Sequence, residues 1–399
     1  MAGATDAENE RAARSLIFPA QEFRARVQRL QTAMARENID ALLLTAPSDI
    51  FYVTGFLTRF WESPARPWFL IVPSQGVPIA VIPAIGQALM AQTWISDIRT
   101  WQAPNPGDDG ISLLYETLTE CVSVQGAIGI PMGVETHLRM PLVDYHQLAD
   151  QLLPRRIVDG TGVLHRTREI KSDAEISKIK EICQIAGRVF AELHEFVHPG
   201  QSMASIFRAF QARLLNEGAD WVSYVAGAAG KDGYLDVIAP ASSKPLKSGD
   251  VLMLDTGAVK DGYFCDFDRN FFIGEVSPQA QRTQEALWQA TESTLDALQP
   301  GMRACDAHQL LSDALLRRGA QPCGGRLGHG LGVTLTEWPS LTPLDKTELR
   351  AGMVLTLEPS AYVEGDRFMV HEENIVLRPH RAELLSPRAP RACPVIPTP

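Results

Sequence analysis

The stretch VLMLDTGAVKDGYFCDFDRNFF, residues 251–272, decides the fold because it carries carboxylates inside an apolar, aromatic run. Its alternation and its β-branched and aromatic residues predict two strands joined by the turn AVKDG. Asp255, Asp266 and Asp268 interrupt these strands, although charged side chains are rarely buried unless they are paired or bind a metal. An antiparallel pair would bring Asp255 and Asp266 together on one face, where two bare carboxylates repel each other. A divalent cation would remove that repulsion.

Further polar residues stand in similar apolar settings. His329 lies among glycines in GGRLGHGLGV, and Glu358 ends the apolar stretch GMVLTLEPS. In MVHEENIVL, strand alternation places Glu373 on the face of His371 and turns Glu372 to the other face.

A set of carboxylates with one imidazole suits Mn²⁺, Co²⁺, Fe²⁺ or Zn²⁺ and differs from a thiolate zinc site. The carboxylates exceed what one such ion needs, which favours two ions about 3.5–4 Å apart. Taken singly, an Asp at a strand end is usually a cap and a His among glycines is usually a packing residue. The combination favours a metal centre.

The composition describes a globular protein with two domains, since the chain has 399 residues, 45% of them hydrophobic and 21% charged. A net charge of −10 argues against a nucleic-acid partner. No run approaches the ~18 apolar residues of a membrane span, and the start MAGATDAENERAARS has no apolar export region. Six cysteines without a C-x-x-C pair are typical of reduced thiols, so we expect a cytoplasmic protein.

The chain pattern predicts four segments. Residues 1–20 form a loose tail, 21–162 an α/β domain, 163–382 an α+β domain, and 383–399 a proline-rich tail. In the α+β domain, S-x-x-E at Ser172–Glu175 predicts the start of a helix. The remaining pattern there predicts strands at 251–257, 262–273, 352–358 and 370–377 and helices at 278–298 and 304–318.

The motifs LDTG, YFCDFDR, GHGLG, TLEPS and EEN, in this order, resemble those of one metallopeptidase family. It includes methionine aminopeptidase, aminopeptidase P, prolidase and creatinase, whose catalytic domain has the pita-bread fold. The segment YVTGF near residue 52 resembles the N-terminal domain of the creatinase/prolidase type. The similarity extends over about residues 20–380.

The resemblance implies a dinuclear metal-dependent hydrolase, with manganese among the candidate metals, that cleaves the C–N amide bond of a dipeptide or small molecule. Asp266 and Glu373 would bridge two ions, Asp255 would complete one, and His329 and Glu358 the other. Water held between the ions would become the nucleophile near neutral pH, with Glu358 also carrying protons. The segment FLTRFWESPARPWF, which contains Trp61, would enclose the substrate. In relatives such a segment reaches the neighbouring subunit's site, which predicts a homodimer.

The sequence departs from the family at the residues that act on the substrate. The stretch AAGKDGYLDVIAPASSKPLKSGD has no histidine, and Thr336 stands where the second peptidase histidine is expected. One such donor is worth about 2.7–4 kcal/mol to an acyl-transfer transition state, which predicts poor Xaa-Pro cleavage.

Other groups are candidates to replace those histidines. Asp268, in place of the usual Thr, is a candidate proton acceptor or a partner of a basic group, and His371 a candidate acid or a core histidine. Tyr224, Tyr234 and Asp236 lie in or just before the substituted stretch and are, by position alone, candidate substrate-binding residues.

Two alternatives stay open. The first is another chemistry within the family, as in creatinase, ectoine hydrolase or a dimethylsulfoniopropionate lyase, with Asp268 as the base for β-elimination. The second is a non-catalytic binding module, as in pita-bread scaffold and histone-chaperone proteins. Those proteins lose the metal ligands, whereas this sequence keeps all five.

Overall fold

The computed structural model describes residues 17–62 and 66–398. The chain forms two compact units, Met1–Arg168 and Glu169–Pro399. The predicted tail comprises residues 1–20, and positions 1–16 of it lie outside the described residues. The first helix begins at Ala20. Among the described residues, no helix is long and apolar enough to cross a membrane.

The N-terminal unit is an α/β domain around one six-stranded sheet, in the order β4-β3-β2-β1-β5-β6. Its strands are β1 (Ala41–Leu44), β2 (Phe69–Pro73), β3 (Ile79–Pro83), β4 (Asp97–Trp101), β5 (Ala127–Ile130) and β6 (Arg156–Asp159). Its helices are α1 (Ala20–Glu37), α2 (Pro47–Thr54), α3 (Gln87–Met90), α4 (Ile111–Cys121), α5 (Leu142–Leu152) and α6 (Thr161–Arg168). The central strand β1 pairs antiparallel with β2 and parallel with β5, and all four of its residues are buried.

The C-terminal unit is an α+β domain. Its helices are α7 (Asp173–Ala191), α8 (Met203–Asn216), α9 (Pro278–Ala297) and α10 (Ala304–Leu316). Its strands are β7 (Trp221–Lys231), β8 (Asp250–Lys260), β9 (Tyr263–Phe264), β10 (Phe267–Ile273), β11 (His329–Gly330), β12 (Glu337–Ser340), β13 (Val354–Leu357), β14 (Ser360–Glu364), β15 (Arg367–Val370), β16 (Glu373–Arg378), β17 (Arg381–Leu384) and β18 (Val395–Ile396). The fold class predicted for both parts of the chain is confirmed. Helix α7 begins with the predicted capping box between Ser172 and Glu175.

Two sheets of this unit carry the residues of interest. One has the order β18-β10-β8-β7, with β9 also on β8, and the other has the order β12-β11-β13-β16-β17. In the first sheet, Asp268 lies directly opposite Asp255.

Two of the predicted strands are interrupted. The predicted strand 262–273 is broken at Cys265 and Asp266, because the Asp266 N–H donates to the Asn374 side chain at 2.9 Å instead of to a strand. The predicted strand 370–377 is broken between Val370 and Glu373, and the His371 N–H donates to the Pro359 carbonyl. The second break changes which carboxylate reaches the cavity described below, whereas Asp266 and Asp268 stay on one side as predicted.

Candidate metal centre

A cavity of about 370 Å³ in the C-terminal unit collects most of the predicted site residues. Both large sheets contribute to its lining. The predicted residues that line it are Tyr224, Asp255, Asp266, Asp268, His329, Thr336 and Glu358, and Arg326 and Glu372 join them.

The His329 imidazole is oriented for binding a cation. Its Nδ1 lies 2.8 Å from the Gly330 carbonyl, which can only accept, so Nδ1 carries the hydrogen. The Nε2 lone pair then faces the carboxylates, at 3.3 Å from Asp266 Oδ2 and 3.9 Å from Glu358 Oε1. A metal-binding histidine commonly has this arrangement, because a hydrogen bond at the other nitrogen fixes the tautomer.

Ligand atoms of Asp266, His329 and Glu372 lie within 4.8 Å of one another, and all three residues are buried. Several oxygens around them lack hydrogen-bond partners among the described residues: Asp255 Oδ1, Glu372 Oε1 and both carboxylate oxygens of Asp268. Unpaired buried polar atoms are costly, so native proteins rarely keep them without a ligand or ion.

The pKa values of the carboxyl groups in the cavity also favour a bound cation. Burial raises the pKa of Asp266 to about 8, although Arg326 opposes the shift. Burial, together with the neighbouring carboxylates, also raises the pKa values of Asp255, Asp268 and Glu372 well above the ordinary range. These groups cannot all ionise without added positive charge, and the hard oxygen set with one imidazole fits divalent cations.

The fifth ligand predicted from the sequence is corrected by this geometry. Glu372, predicted to point away, lines the cavity, whereas Glu373 is absent from the cavity lining. Glu373 Oε2 accepts from Arg269 at 3.0 Å, and its Oε1 accepts from Arg388 at 2.8 Å. Burial alone would raise the pKa of Glu373, but Arg269, Arg388 and the Ala389 N–H hold it below its usual value. It is therefore the charged partner of two arginines.

The structure also corrects the catalytic assignment of His371. The ring is buried beside Glu373, and its Nε2 accepts from Arg388 at 2.8 Å, outside the cavity lining. Burial, reinforced by Arg388 and Arg269, lowers the pKa of His371 to about 3 even though Glu373 opposes the shift. A neutral ring that already accepts a hydrogen bond from Arg388 is a core histidine.

Three predicted substrate-binding residues lie elsewhere. The buried Tyr234 hydroxyl donates to Asn270 at 3.1 Å and accepts from the Val370 N–H at 2.7 Å, so it supports the core. Asp236 is exposed and accepts from the Ile238 N–H. Trp61 packs edge-on against Phe56 and Trp68 in the N-terminal unit, and its substrate role stays a prediction.

Tyr224 lines the cavity, and burial, reinforced by Asp255, raises the pKa of its hydroxyl above the ordinary value. Residues that sequence reasoning missed fix other ligands. The His329 N–H donates to Thr356 Oγ1 at 3.0 Å, and the Asn374 amide bonds both the N–H and the carbonyl of Asp266. Thr356 and Asn374 are polar residues at fully buried strand positions, the same signal that singled out the aspartates.

Known proteins are similar to this chain in sequence and in fold. Residues 177–378 match metallopeptidase family M24, and residues 26–170 match the Creatinase/Prolidase N-terminal domain. The probable dipeptidase PepE of Mycobacterium bovis is 27% identical over 368 residues, which are 90% of this chain and 93% of that protein.

Solved structures agree. Dipeptidase PepE from Mycobacterium ulcerans is similar with a TM-score of 0.82 at 26% identity, covering 95% of this chain and 99% of that one. A prolidase from Thermococcus sibiricus has a TM-score of 0.83 at 24% identity, covering 94% and 99%, which shows the fold. The family resemblance found in the motifs is confirmed: this chain belongs to metallopeptidase family M24 and is a metal-dependent hydrolase of the creatinase-type, two-domain kind.

Proposed function

We propose that this enzyme hydrolyses dipeptides at a centre of two divalent metal ions. The observation that carries the proposal is the buried group of Asp266, His329 and Glu372, whose ligand atoms lie within 4.8 Å of one another. The names of the similar PepE proteins support the substrate class. A cavity of about 370 Å³ is at the small end of ligand pockets, which favours a dipeptide over a longer peptide.

The proposed ligand assignment follows from which groups lie together. Asp266 and Glu372 would help to hold both ions, and Asp255 would help to hold one of them. His329 and Glu358, whose Nε2 and Oε1 atoms are 3.9 Å apart, would help to hold the other ion. The residues fit manganese, cobalt, iron or zinc, since these ions accept carboxylate oxygens together with an imidazole.

Two bound ions would supply an acidified water and a polarised carbonyl. The residues of this chain do the remaining work. Burial raises the pKa of Glu358, which suits it to hold a proton for the leaving nitrogen. The Asp268 carboxyl group faces the same cavity, where neither of its oxygens has a hydrogen-bond partner within the part of the chain that the structure describes, and it is the second proton carrier that we propose. The Arg326 guanidinium in the lining would contact the carboxylate of the dipeptide.

Hydrolysis of a dipeptide panel tests this proposal. The metal-free protein is loaded with Mn²⁺ or Co²⁺ and assayed on dipeptides with and without a C-terminal proline, each beside its N-acetylated form. We expect metal-dependent release of free amino acids, poor cleavage before proline because Thr336 replaces an imidazole, and no cleavage of acetylated substrates. A protein that binds two ions yet cleaves no dipeptide would refute the proposed substrate class.

A second candidate is a lyase reaction at the same centre. The position of Asp268 in the cavity lining favours it, because this buried carboxyl group, once bound cations have displaced its proton, could serve as the base for β-elimination. Product analysis in ¹⁸O-labelled water separates the two chemistries. Hydrolysis places one solvent oxygen in the product, and a lyase reaction places none.

A further inference from the structure

We propose that residues 386–396 form a C-terminal clamp that positions the metal centre, with Arg388 as its positioning residue. Among the described residues, Arg388 bonds to Trp288, Glu292, His371 and Glu373, none of which we assign as a metal ligand. It acts on Glu373 and, through it, on the chain that carries Glu372. The inference rests on the metal centre proposed above and adds a part of the chain that lies outside the cavity lining.

The clamp supplies most of the hydrogen bonds that the buried carboxylate of Glu373 accepts. Glu373 is 0% exposed, and its Oε1 accepts from Arg388 Nη1 at 2.8 Å and from the Ala389 N–H at 2.9 Å. Its Oε2 accepts from the Ser386 hydroxyl and from Arg269 Nη2, the latter at 3.0 Å. Three of these four donors therefore belong to the clamp.

Arg269 connects Glu373 to the backbone of the residues that line the metal centre. Its Nη1 donates to the Glu372 carbonyl at 2.8 Å and to the Asp268 carbonyl at 2.7 Å. One guanidinium thus ties together the two chain segments that bring Glu372 and Asp268 into the cavity. Its Nη2 is held by Glu373 and by the Pro387 carbonyl, which is again part of the clamp.

The clamp itself is anchored on helix α9 and on the sheet. Arg388 Nε pairs with Glu292 at 2.6 Å, its Nη2 donates to the Trp288 carbonyl at 3.1 Å, and its guanidinium lies 4.5 Å from the centre of the Trp288 ring. Strand β18, near the end of the clamp, pairs with β10, the strand that carries Asp268. A ligand held in this way keeps its position before a cation arrives, as metal ligands in a preorganised site require.

The test measures Mn²⁺ affinity by titration calorimetry on the metal-free, full-length protein, beside its thermal stability. We expect Arg388→Ala to weaken Mn²⁺ binding about 10–100-fold, the usual effect of removing a partner behind a metal ligand, and Arg388→Lys to restore part of it. The matched control is Arg391→Ala, which removes an exposed arginine of the same clamp that pairs with Glu285 on the same helix. This control should leave the affinity within about twofold, in line with the small energies of exposed ion pairs.

The direction in which Mn²⁺ affinity changes shows whether Arg388 acts by positioning ligands or by its charge alone. Deleting a positive charge near a cation site should raise Mn²⁺ affinity, so a fall requires displaced ligands. An affinity for the Arg388→Ala protein equal to or above that of the Arg391→Ala protein would overturn the clamp. Wild-type protein that binds no Mn²⁺ would instead overturn the metal centre itself.

A second variant covers the case in which Arg388→Ala does not fold. Glu292→Gln removes the charged anchor of Arg388 at a site whose side chain is 41% exposed, and such a change is tolerated by most folds. We expect a smaller loss of Mn²⁺ affinity, about threefold to tenfold, which is the lower part of the range for such partners. An unchanged affinity would count against the clamp.

Discussion

Glu372 and Glu373 are neighbours in the chain, and the structure predicts opposite consequences for replacing each of them by glutamine. Glu372 lines the cavity, and its Oε1 has no hydrogen-bond partner among residues 17–62 and 66–398, so a charge on it is repelled by Asp266 and Asp255 until a cation binds. Glu373 is ion-paired with Arg269 and Arg388 whether or not a cation is present. We expect Glu372→Gln to weaken metal binding and Glu373→Gln to weaken the fold.

The sizes of these effects follow from burial. Removing one partner of a buried ion pair costs about 3–5 kcal/mol, because the opposite charge is left uncompensated. In a domain of 150–250 residues, 1 kcal/mol shifts Tm by about 2–4 °C, so Glu373→Gln should lower the Tm of the C-terminal unit by about 6–20 °C. Glu372→Gln removes a repelled carboxylate, so the metal-free Tm should stay the same or rise.

Calorimetry of both variants, with and without Mn²⁺, measures these effects on one pair of proteins. At saturating Mn²⁺, the Glu373→Gln protein should still bind two ions, with an affinity reduced through the clamp. The Glu372→Gln protein should bind no more than one ion tightly. The assignment of the fifth ligand is refuted if Glu372→Gln binds two ions like the wild type while Glu373→Gln loses one at an unchanged metal-free Tm.

The remaining predictions concern pH and proton transfer. Burial raises the pKa of Asp266 to about 8 and those of Asp255 and Glu372 well above the usual range. Between about pH 4 and 8, the metal-free folded state therefore binds more protons than the unfolded state, and its stability falls as pH rises, by up to about 1.4 kcal/mol per pH unit for each group. Scanning calorimetry of the metal-free protein in chelator, from pH 5 to 8, measures this fall in Tm with pH. A Tm that rises steadily with pH would contradict the prediction. With Mn²⁺ bound, Tm should depend less on pH. Asp268→Asn should lower kcat about 10²–10⁴-fold while Mn²⁺ affinity stays within several-fold, measured by dipeptide kinetics and titration calorimetry. An unchanged kcat would remove Asp268 from the proton path.

The sequence was sufficient where a polar residue interrupted an apolar segment. Asp255, His329 and Glu358 could be predicted to lie together because each occupies a position at which burial without a partner is costly. The same reasoning failed at Glu373, because strand alternation was extended through residues 371 and 372, where the chain leaves the ladder. A shift of one residue moves every side chain to the other face, so Glu372 lines the cavity and Glu373 does not.

Residues in irregular segments could not be placed in this way. The substrate-binding roles of Tyr234 and Asp236 were inferred from their position in a stretch without periodicity. In the structure Tyr234 is buried in the core and Asp236 is exposed at the surface. The clamp was equally hidden, since a proline-rich tail carries no period that indicates its partners. Arg388 contacts Glu292, which lies 96 positions earlier in the chain, and only the folded chain brings them together.

Two groups of charged residues, one inside the cavity and one outside its lining, explain how a cluster of acids can be held in place before cations bind. In the cavity, several carboxylates face one another and destabilise the metal-free fold. Outside the cavity lining, Arg269 and Arg388 saturate Glu373 and hold the backbone that carries the cavity carboxylates, so those acids cannot relieve their repulsion by moving apart. The repulsion between these acids is then relieved by a bound proton or by a bound cation, and relief by a cation contributes to metal affinity. At 100 times its Kd, each bound ion would add about 2.7 kcal/mol to the stability, so folding and metal binding in this unit are linked.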